Sequence, residues 1–161
     1  MKHLVLIFSI PLLLFLTDAG AAPVIFIVRH AEKASSGDKD PDLSIEGQKR
    51  ADALAHILQD SQITSVFVTE FKRTQRTATP TATAAHVTAT VLPANDIGVL
   101  VEKLRALNGN ALVVGHGNTI PDLLKALGIA TPVSIPEDDY TEIFAVLIGN
   151  EPQLLRLHYP F

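Results

Sequence analysis

The chain has 161 residues, a formal net charge of −4 and no cysteine. This length suits one domain. The lack of cysteine excludes a disulfide framework and thiolate metal sites, and the mildly acidic balance argues against general binding to nucleic acid.

The first 21 residues have the three parts of a secretory signal peptide. A basic start, Met1-Lys2-His3, precedes an apolar run at residues 4–16, and Ala19-Gly20-Ala21 has the small-x-small pattern of a cleavage site. The run is shorter than the ~20 residues of a membrane-spanning helix. We therefore expect cleavage after Ala21, no membrane span afterwards, a periplasmic or secreted location, and one domain over residues 22–161; an uncleaved anchor is the alternative.

From residue 24 onward, short apolar runs alternate with helical patterns. The pattern predicts strands at 24–28, 63–69, 87–92 and 111–114, helices at 45–58, 70–86, 96–107 and 119–127, and a final hairpin of strands 143–148 and 154–158. Ser44 is expected to cap the first helix, and Pro80 to kink or interrupt the second. This order predicts an α/β fold: a three-layer α/β/α sandwich whose mostly parallel sheet has an antiparallel edge strand.

Three of the predicted strands end in residues suited to an anion. These ends are Arg29-His30, Thr69-Glu70-Phe71-Lys72-Arg73 and Gly115-His116-Gly117-Asn118. Because ligands of open α/β sheets bind beyond the carboxyl ends of the strands, we expect these groups on one rim. Guanidinium groups match phosphate oxygens, and imidazole is a nucleophile at neutral pH. The sequence thus predicts a phosphate site with a nucleophilic histidine.

Four segments carry a resemblance to a known family. They are Val28-Arg29-His30-Ala31-Glu32-Lys33, Asp42-Leu43-Ser44-Ile45-Glu46-Gly47-Gln48, Phe71-Lys72-Arg73-Thr74-Gln75-Arg76-Thr77-Ala78 and Val113-Val114-Gly115-His116-Gly117-Asn118. In this order they resemble the motifs of the histidine phosphatase superfamily, also called phosphoglycerate mutase-like. Ala31 stands where the family usually has glycine. The resemblance covers nearly all of residues 24–158 and implies a phosphoglycerate mutase-like fold.

The resemblance also implies a mechanism. His30 would attack phosphorus through one ring nitrogen, while a backbone carbonyl holds the other. Arg29, Arg73 and a protonated His116 would bind the phosphoryl oxygens, and water would hydrolyse the phosphohistidine. Asn118 is a further substrate-binding candidate that caps the next helix, orients His116, or does both. The arginines would supply the charge, so no metal and no cofactor is expected.

The proton donor for the leaving group stays open. Gly117 stands where phytase-like members carry an aspartate donor, so the chain resembles the mutase-like branch and, within it, the small phosphohistidine phosphatases. That branch takes its acid from a glutamate between the third strand and the next helix, where no recognisable motif is present. The candidates are Asp96, Glu102, Glu70, Glu32 and Asp139.

The resulting hypothesis is an exported phosphatase acting on a small phosphomonoester or on a phosphohistidine. A non-catalytic module that binds phosphorylated ligands is an alternative, and a sugar-phosphate mutase is less favoured because its inserted segments are absent. Several polar residues also have simpler interpretations. Arg76 is expected at the surface, Glu32 and Lys33 as a local ion pair or a substrate contact, and the Glu137-Asp138-Asp139 run as a solvated loop or a pocket mouth that repels anionic substrates.

Overall fold

The computed structural model describes residues 22–35 and 37–159. The predicted signal peptide at residues 1–21 and its cleavage site therefore lie outside the described residues. Across the two described ranges, every helix is too short or too polar to cross a membrane.

The described elements follow the predicted order. The strands are β1 (Val24–Arg29), β2 (Ile63–Thr69), β3 (Thr90–Leu92), β4 (Asn110–Gly115), β5 (Glu142–Leu147) and β6 (Gln153–His158). The helices are α1 (Ile45–Ile57), α2 (Lys72–Ala84), α3 (Ile97–Arg105) and α4 (Ile120–Ala126). As predicted, Ser44 caps α1 through a hydrogen bond that its Oγ accepts from the Gly47 N–H.

The strands form one sheet in the order β3-β2-β4-β1-β5-β6. The first four are mutually parallel, whereas β5 runs antiparallel to β1 and β6 antiparallel to β5. The prediction of a mostly parallel sheet with an antiparallel edge is thus confirmed. In the register, Arg29 lies opposite Gly115 and Val68 opposite Val114. The carboxyl ends of β1, β2 and β4 therefore meet at one rim.

Two apolar layers cover the sheet, one on each face. Residues of α3 and α4 pack on one face against Ile25 and Ile27 of β1, and residues of α1 and α2 pack on the other against Val28. Side chains of a strand alternate between faces, so the apolar residues 24–28 of β1 supply both layers. This arrangement is the predicted three-layer sandwich.

Two local predictions in the middle of the chain need correction. Of the two effects expected of Pro80, a kink or an interruption, the interruption does not occur: α2 runs from Lys72 to Ala84, and buried residues on both sides of the proline, Ala78 and Ala82 among them, anchor it to the core. The third strand begins at Thr90 rather than at residue 87. Its first part is lost because His86 adopts a left-handed backbone with φ of 56° and the Val87 N–H donates to Ala82 O at the end of the helix.

The start of α1 packs on the segment that follows His30. An ideal Cβ on Gly47 would lie 2.2 Å from the backbone oxygen of Glu32. The same oxygen accepts a 2.9 Å hydrogen bond from the Ser44 N–H. Glycine at this position therefore lets the helix approach the backbone next to the nucleophile candidate.

Replacing Gly47 by alanine should lower the free energy of unfolding by about 2–3 kcal/mol, because the added methyl group overlaps a backbone atom that cannot move freely. Urea unfolding measures this loss. Gly98→Ala in α3 is the control: nothing lies within 4 Å of its ideal Cβ, and alanine should stabilise the helix by up to ~1 kcal/mol. Equal stabilities of the two variants would contradict the role of Gly47.

Candidate active site

The rim formed by β1, β2 and β4 brings both candidate histidines together. The ring centroids of His30 and His116 lie 5.4 Å apart, and the two residues are only 5% and 6% exposed. They share a cavity of about 570 Å³. Its lining comprises Arg29, His30, Lys33, Arg73, His116, Gly117, Asn118, Ile135, Glu137 and Tyr140. All five residues proposed from the sequence for catalysis or binding thus lie around one cavity.

His30 is held as a neutral ring with one free nitrogen. Its Nδ1 lies 2.8 Å from Ala31 O, and since a carbonyl only accepts, Nδ1 carries the hydrogen and Nε2 has the free lone pair. Burial lowers the pKa of His30 from 6.5 to about 4, and the nearby guanidinium groups of Arg73 and Arg29 add to this effect. At neutral pH the Nε2 of His30 is therefore available to attack an electrophile.

His116 is fixed by a chain of hydroxyl groups. Its Nε2 lies 3.0 Å from Thr69 Oγ1, which is 2.9 Å from Thr74 Oγ1, and the Thr74 hydroxyl donates to Phe71 O at 2.9 Å. Because the Thr74 hydroxyl donates to Phe71 O, it accepts from the Thr69 hydroxyl, and the Thr69 hydroxyl in turn accepts from the Nε2–H of His116. The His116 Nδ1 then accepts, and it lies 3.5 Å from Nη2 of Arg73.

The charge of His116 differs from what the family resemblance implies. Burial and the neighbouring Arg73 guanidinium lower the pKa of His116 to about 4. The ring is therefore neutral in the protein without ligand, whereas the resemblance implied a protonated one. A phosphate dianion placed in the cavity would oppose both effects and favour protonation of the ring.

The loop that precedes β5 holds Arg29. Its Nη1 donates to Pro136 O at 2.9 Å and to Asp139 O at 3.0 Å, and its Cζ lies 4.2 Å from the centre of the Tyr140 ring. Arg29 Nε is buried without a hydrogen-bond partner in the described part of the chain, and an ideal Cβ on Gly117 would lie 3.5 Å from it. A buried donor without a partner beside the cavity is suited to an anionic ligand.

Arg73 is positioned from the start of α2. Its Cζ lies 4.3 Å from the centre of the Phe71 ring, and its Nη1 lies 3.8 Å from Oδ1 of Asp40. The Thr77 hydroxyl donates to Arg73 O at 2.7 Å and accepts from the Ala31 N–H at 2.9 Å. This one hydroxyl ties the backbone of the arginine to the residue that holds His30.

The five carboxylates considered as proton donors do not line the cavity. Glu32 pairs with Arg50, Glu70 accepts from the Ala94 N–H at 2.8 Å, and Asp96 caps α3 by accepting from the Val99 N–H. Glu102 is exposed on α3. The carboxylate of Asp139 accepts from the backbone and the hydroxyl of Thr141, which lower its pKa.

The sequence left the roles of two cavity residues, Lys33 and Glu137, open between alternatives, and it gave no indication of Tyr140. Lys33 lies in the cavity lining, whereas its predicted ion-pair partner Glu32 binds Arg50 instead. Glu137 lines the cavity as well, in agreement with the pocket-mouth interpretation. Tyr140 had no sequence signal, because its loop lacks periodicity. Arg76 lies on the surface as expected, 3.5 Å from Asp42.

The cavity is positively charged overall. Its described lining residues include three basic side chains, those of Arg29, Arg73 and Lys33, and one acidic side chain, that of Glu137. Within the described ranges, no group of three or more histidine, aspartate or glutamate residues is arranged to hold a metal ion. The arrangement can bind an anion and place it beside the nucleophilic nitrogen of His30.

The buried neutral histidines predict a loss of stability in acid. Their folded-state pKa values of about 4 lie below the ordinary 6.5, so between these values the unfolded chain binds protons that the folded protein does not. As the pH is lowered through this window, the free energy of unfolding should decrease by up to ~1.4 kcal/mol per pH unit for each histidine. Urea unfolding from about pH 7 to about pH 4.5 measures the slope. In His116→Gln the dependence of the unfolding free energy on pH should be weaker. An unchanged slope in this variant would contradict the lowered pKa of His116.

Comparisons with known proteins agree with this geometry. Residues 25–94, which include Arg29, His30 and Arg73, match the family model of the histidine phosphatase superfamily (branch 1). The search of the curated proteins found no match.

Solved structures share the fold. The chain resembles the protein histidine phosphatase SixA complexed with tungstate, with a TM-score of 0.71, 23% identity, and coverage of 84% of this chain and 96% of that one. It also resembles the mycobacterial glucosyl-3-phosphoglycerate phosphatase with inorganic phosphate, with a TM-score of 0.68, 17% identity, and coverage of 86% and 98%. Identities this low establish the fold alone.

Proposed function

We propose that this chain, whose residues 25–94 match the model of the histidine phosphatase superfamily, is a phosphatase that hydrolyses a phosphomonoester or a phosphohistidine through a phosphohistidine intermediate on His30. The observation that carries the proposal is the Nε2 of His30: the ring is buried and neutral, and its other nitrogen is held by Ala31 O at 2.8 Å. A cavity with two arginines adjoins this nitrogen.

The reaction follows from these positions. His30 Nε2 attacks phosphorus, and the bond from phosphorus to the leaving group breaks. Arg29 and Arg73 bind the oxygens of the transferred phosphoryl group and stabilise the charge of the transition state. His116, on taking up a proton at Nδ1, would donate to a further oxygen. Water then attacks the phosphohistidine, and inorganic phosphate leaves with His30 restored.

Two oxyanion complexes of related folds support this assignment. SixA binds tungstate, and the mycobacterial phosphatase binds inorganic phosphate. Export to the periplasm or the medium is a further proposal, and it rests on the three-part pattern of residues 1–21.

The test is to trap the intermediate. The protein is mixed with ³²P-labelled 4-nitrophenyl phosphate and quenched in alkali, in which phosphohistidine is stable, and the labelled peptide is sequenced by mass spectrometry. Label on His30 that appears and decays at the rate of turnover supports the proposal. Tight binding of the probe with neither label nor turnover would instead favour the binding module. With a sugar phosphate as substrate, phosphate transfer to a second sugar position that is faster than release of free phosphate would favour the mutase.

A further inference from the structure

The proposed reaction needs an acid for the leaving group. Unless a proton is supplied as the bond to phosphorus breaks, an alcohol leaves as a strongly basic alkoxide, and general acids at such sites accelerate the step by about 10²–10⁴-fold. Four carboxylates near the motifs are bound elsewhere, Glu32 by Arg50 and the other three by backbone N–H groups. The cavity itself holds one described carboxylate, that of Glu137.

The backbone around Glu137 is tied to the phosphate-binding arginine. Pro136 O and Asp139 O both accept hydrogen bonds from Nη1 of Arg29. The Asp139 N–H also donates to Pro136 O at 3.1 Å, which closes a turn with Glu137 and Asp138 at its centre. Both ends of this turn are thus fixed on Arg29. Of the two central residues, Glu137 lines the cavity of His30 and Asp138 does not.

We infer that Glu137 is the catalytic acid and base of this site, an inference that rests on the proposed phosphatase function. As His30 Nε2 bonds to phosphorus, the protonated Glu137 carboxyl gives its proton to the leaving oxygen, and an alcohol departs. The carboxylate then takes a proton from the water that attacks the phosphohistidine, and phosphate leaves. Each turnover consumes one water molecule and returns Glu137 to its protonated form.

This role assigns a substrate class to the site. A phosphatase with a built-in acid can release poor leaving groups, so alkyl phosphates such as phosphorylated sugars and polyols are its natural substrates. Two further cavity residues carry transferable protons, Lys33 and Tyr140. Tyr140 stacks on Arg29, with the guanidinium carbon 4.2 Å from its ring centre, and this contact gives it a structural role of its own.

The dependence of the rate on the leaving group tests the inference. Glu137→Gln is compared with the wild-type protein on glycerol 3-phosphate, whose leaving group needs a proton, and on 4-nitrophenyl phosphate, whose leaving group does not. We expect kcat/KM to fall by about 100-fold or more on the alkyl ester and to change little on the aryl ester. Asp138→Asn is the matched control from the same turn, and it should leave both rates unchanged.

Every other outcome overturns the assignment. Equal losses on both esters would mean that Glu137 only positions the Arg29 loop, and equal gains would mean that it only repels anions. A loss confined to the alkyl ester in Lys33→Met or Tyr140→Phe, but not in Glu137→Gln, would assign the acid to that residue. If the wild-type protein hydrolyses neither ester and forms no phosphohistidine, the proposed phosphatase function itself fails. This result differs from one in which the wild-type protein is active and only the role of Glu137 is contradicted.

Discussion

Replacing His30 by asparagine is expected to lower kcat/KM for 4-nitrophenyl phosphate by about 10⁴–10⁶-fold, as the loss of a covalent nucleophile does in other enzymes. Asparagine is polar and of similar size, and its amide can still donate to Ala31 O, but it offers no nucleophilic nitrogen. Steady-state kinetics measure the effect. His56→Asn on the exposed side of α1 is the matched control and should retain full activity.

The same variant separates binding from chemistry. Arg29 and Arg73 remain in place, so tungstate or vanadate should still bind to His30→Asn, as isothermal titration calorimetry can show. Activity within about tenfold of the wild-type protein would mean that another group attacks phosphorus. His116 is the one other histidine among the described cavity residues, and its Nε2 is already engaged with Thr69.

Replacing Arg50 by methionine is expected to lower the free energy of unfolding by about 3–5 kcal/mol, because the change leaves Glu32 without its charge partner. The guanidinium binds both carboxylate oxygens of Glu32, at 2.7 Å for the shortest contact, and also donates to Tyr159 O at 3.2 Å. Arg50 is only 6% exposed, so little water can replace it. Urea unfolding at neutral pH measures the loss.

A double variant identifies the pair as the cause. Glu32→Gln combined with Arg50→Met removes both charges, so it should be more stable than Arg50→Met alone. If the losses of unfolding free energy in Glu32→Gln and in Arg50→Met simply add in the double variant, the two residues act independently. The ion pair then does not explain the loss in Arg50→Met.

The sequence predicted those site residues that directly follow a regular strand. Apolar runs located the strands, and the residues just beyond them, Arg29, His30 and His116, could be placed on one rim because parallel strands end at the same side. The match of residues 25–94 to the model of the histidine phosphatase superfamily agrees with the family that these motifs indicated. The neutral state of His116 was not predictable, because it depends on how deeply packing buries the ring.

Contacts between distant segments account for the rest. The ion pair of Glu32 with Arg50 needs α1 to fold back on the segment after His30, and the bonds of Arg29 to Pro136 and Asp139 join residues more than a hundred positions apart. The carboxylates considered as proton donors were chosen because they lie near the motifs in the sequence, and this criterion did not select Glu137, the residue that we propose as the acid. The cap formed by Asp96 could have been recognised, since an aspartate directly before a helix usually binds the backbone N–H groups of its first turn.

The position of β1 has a consequence for how the protein loses activity. This strand lies inside the sheet between β4 and β5, and both apolar layers pack on it. Segments of this kind open last in local unfolding, and their amide hydrogens exchange most slowly with solvent. The nucleophile therefore sits at the end of a segment expected to open last, whereas Glu137 lies on an exposed loop outside the sheet, the kind of segment that generally opens earlier. Partial opening would weaken the proton supply while the phosphorylation site stays intact.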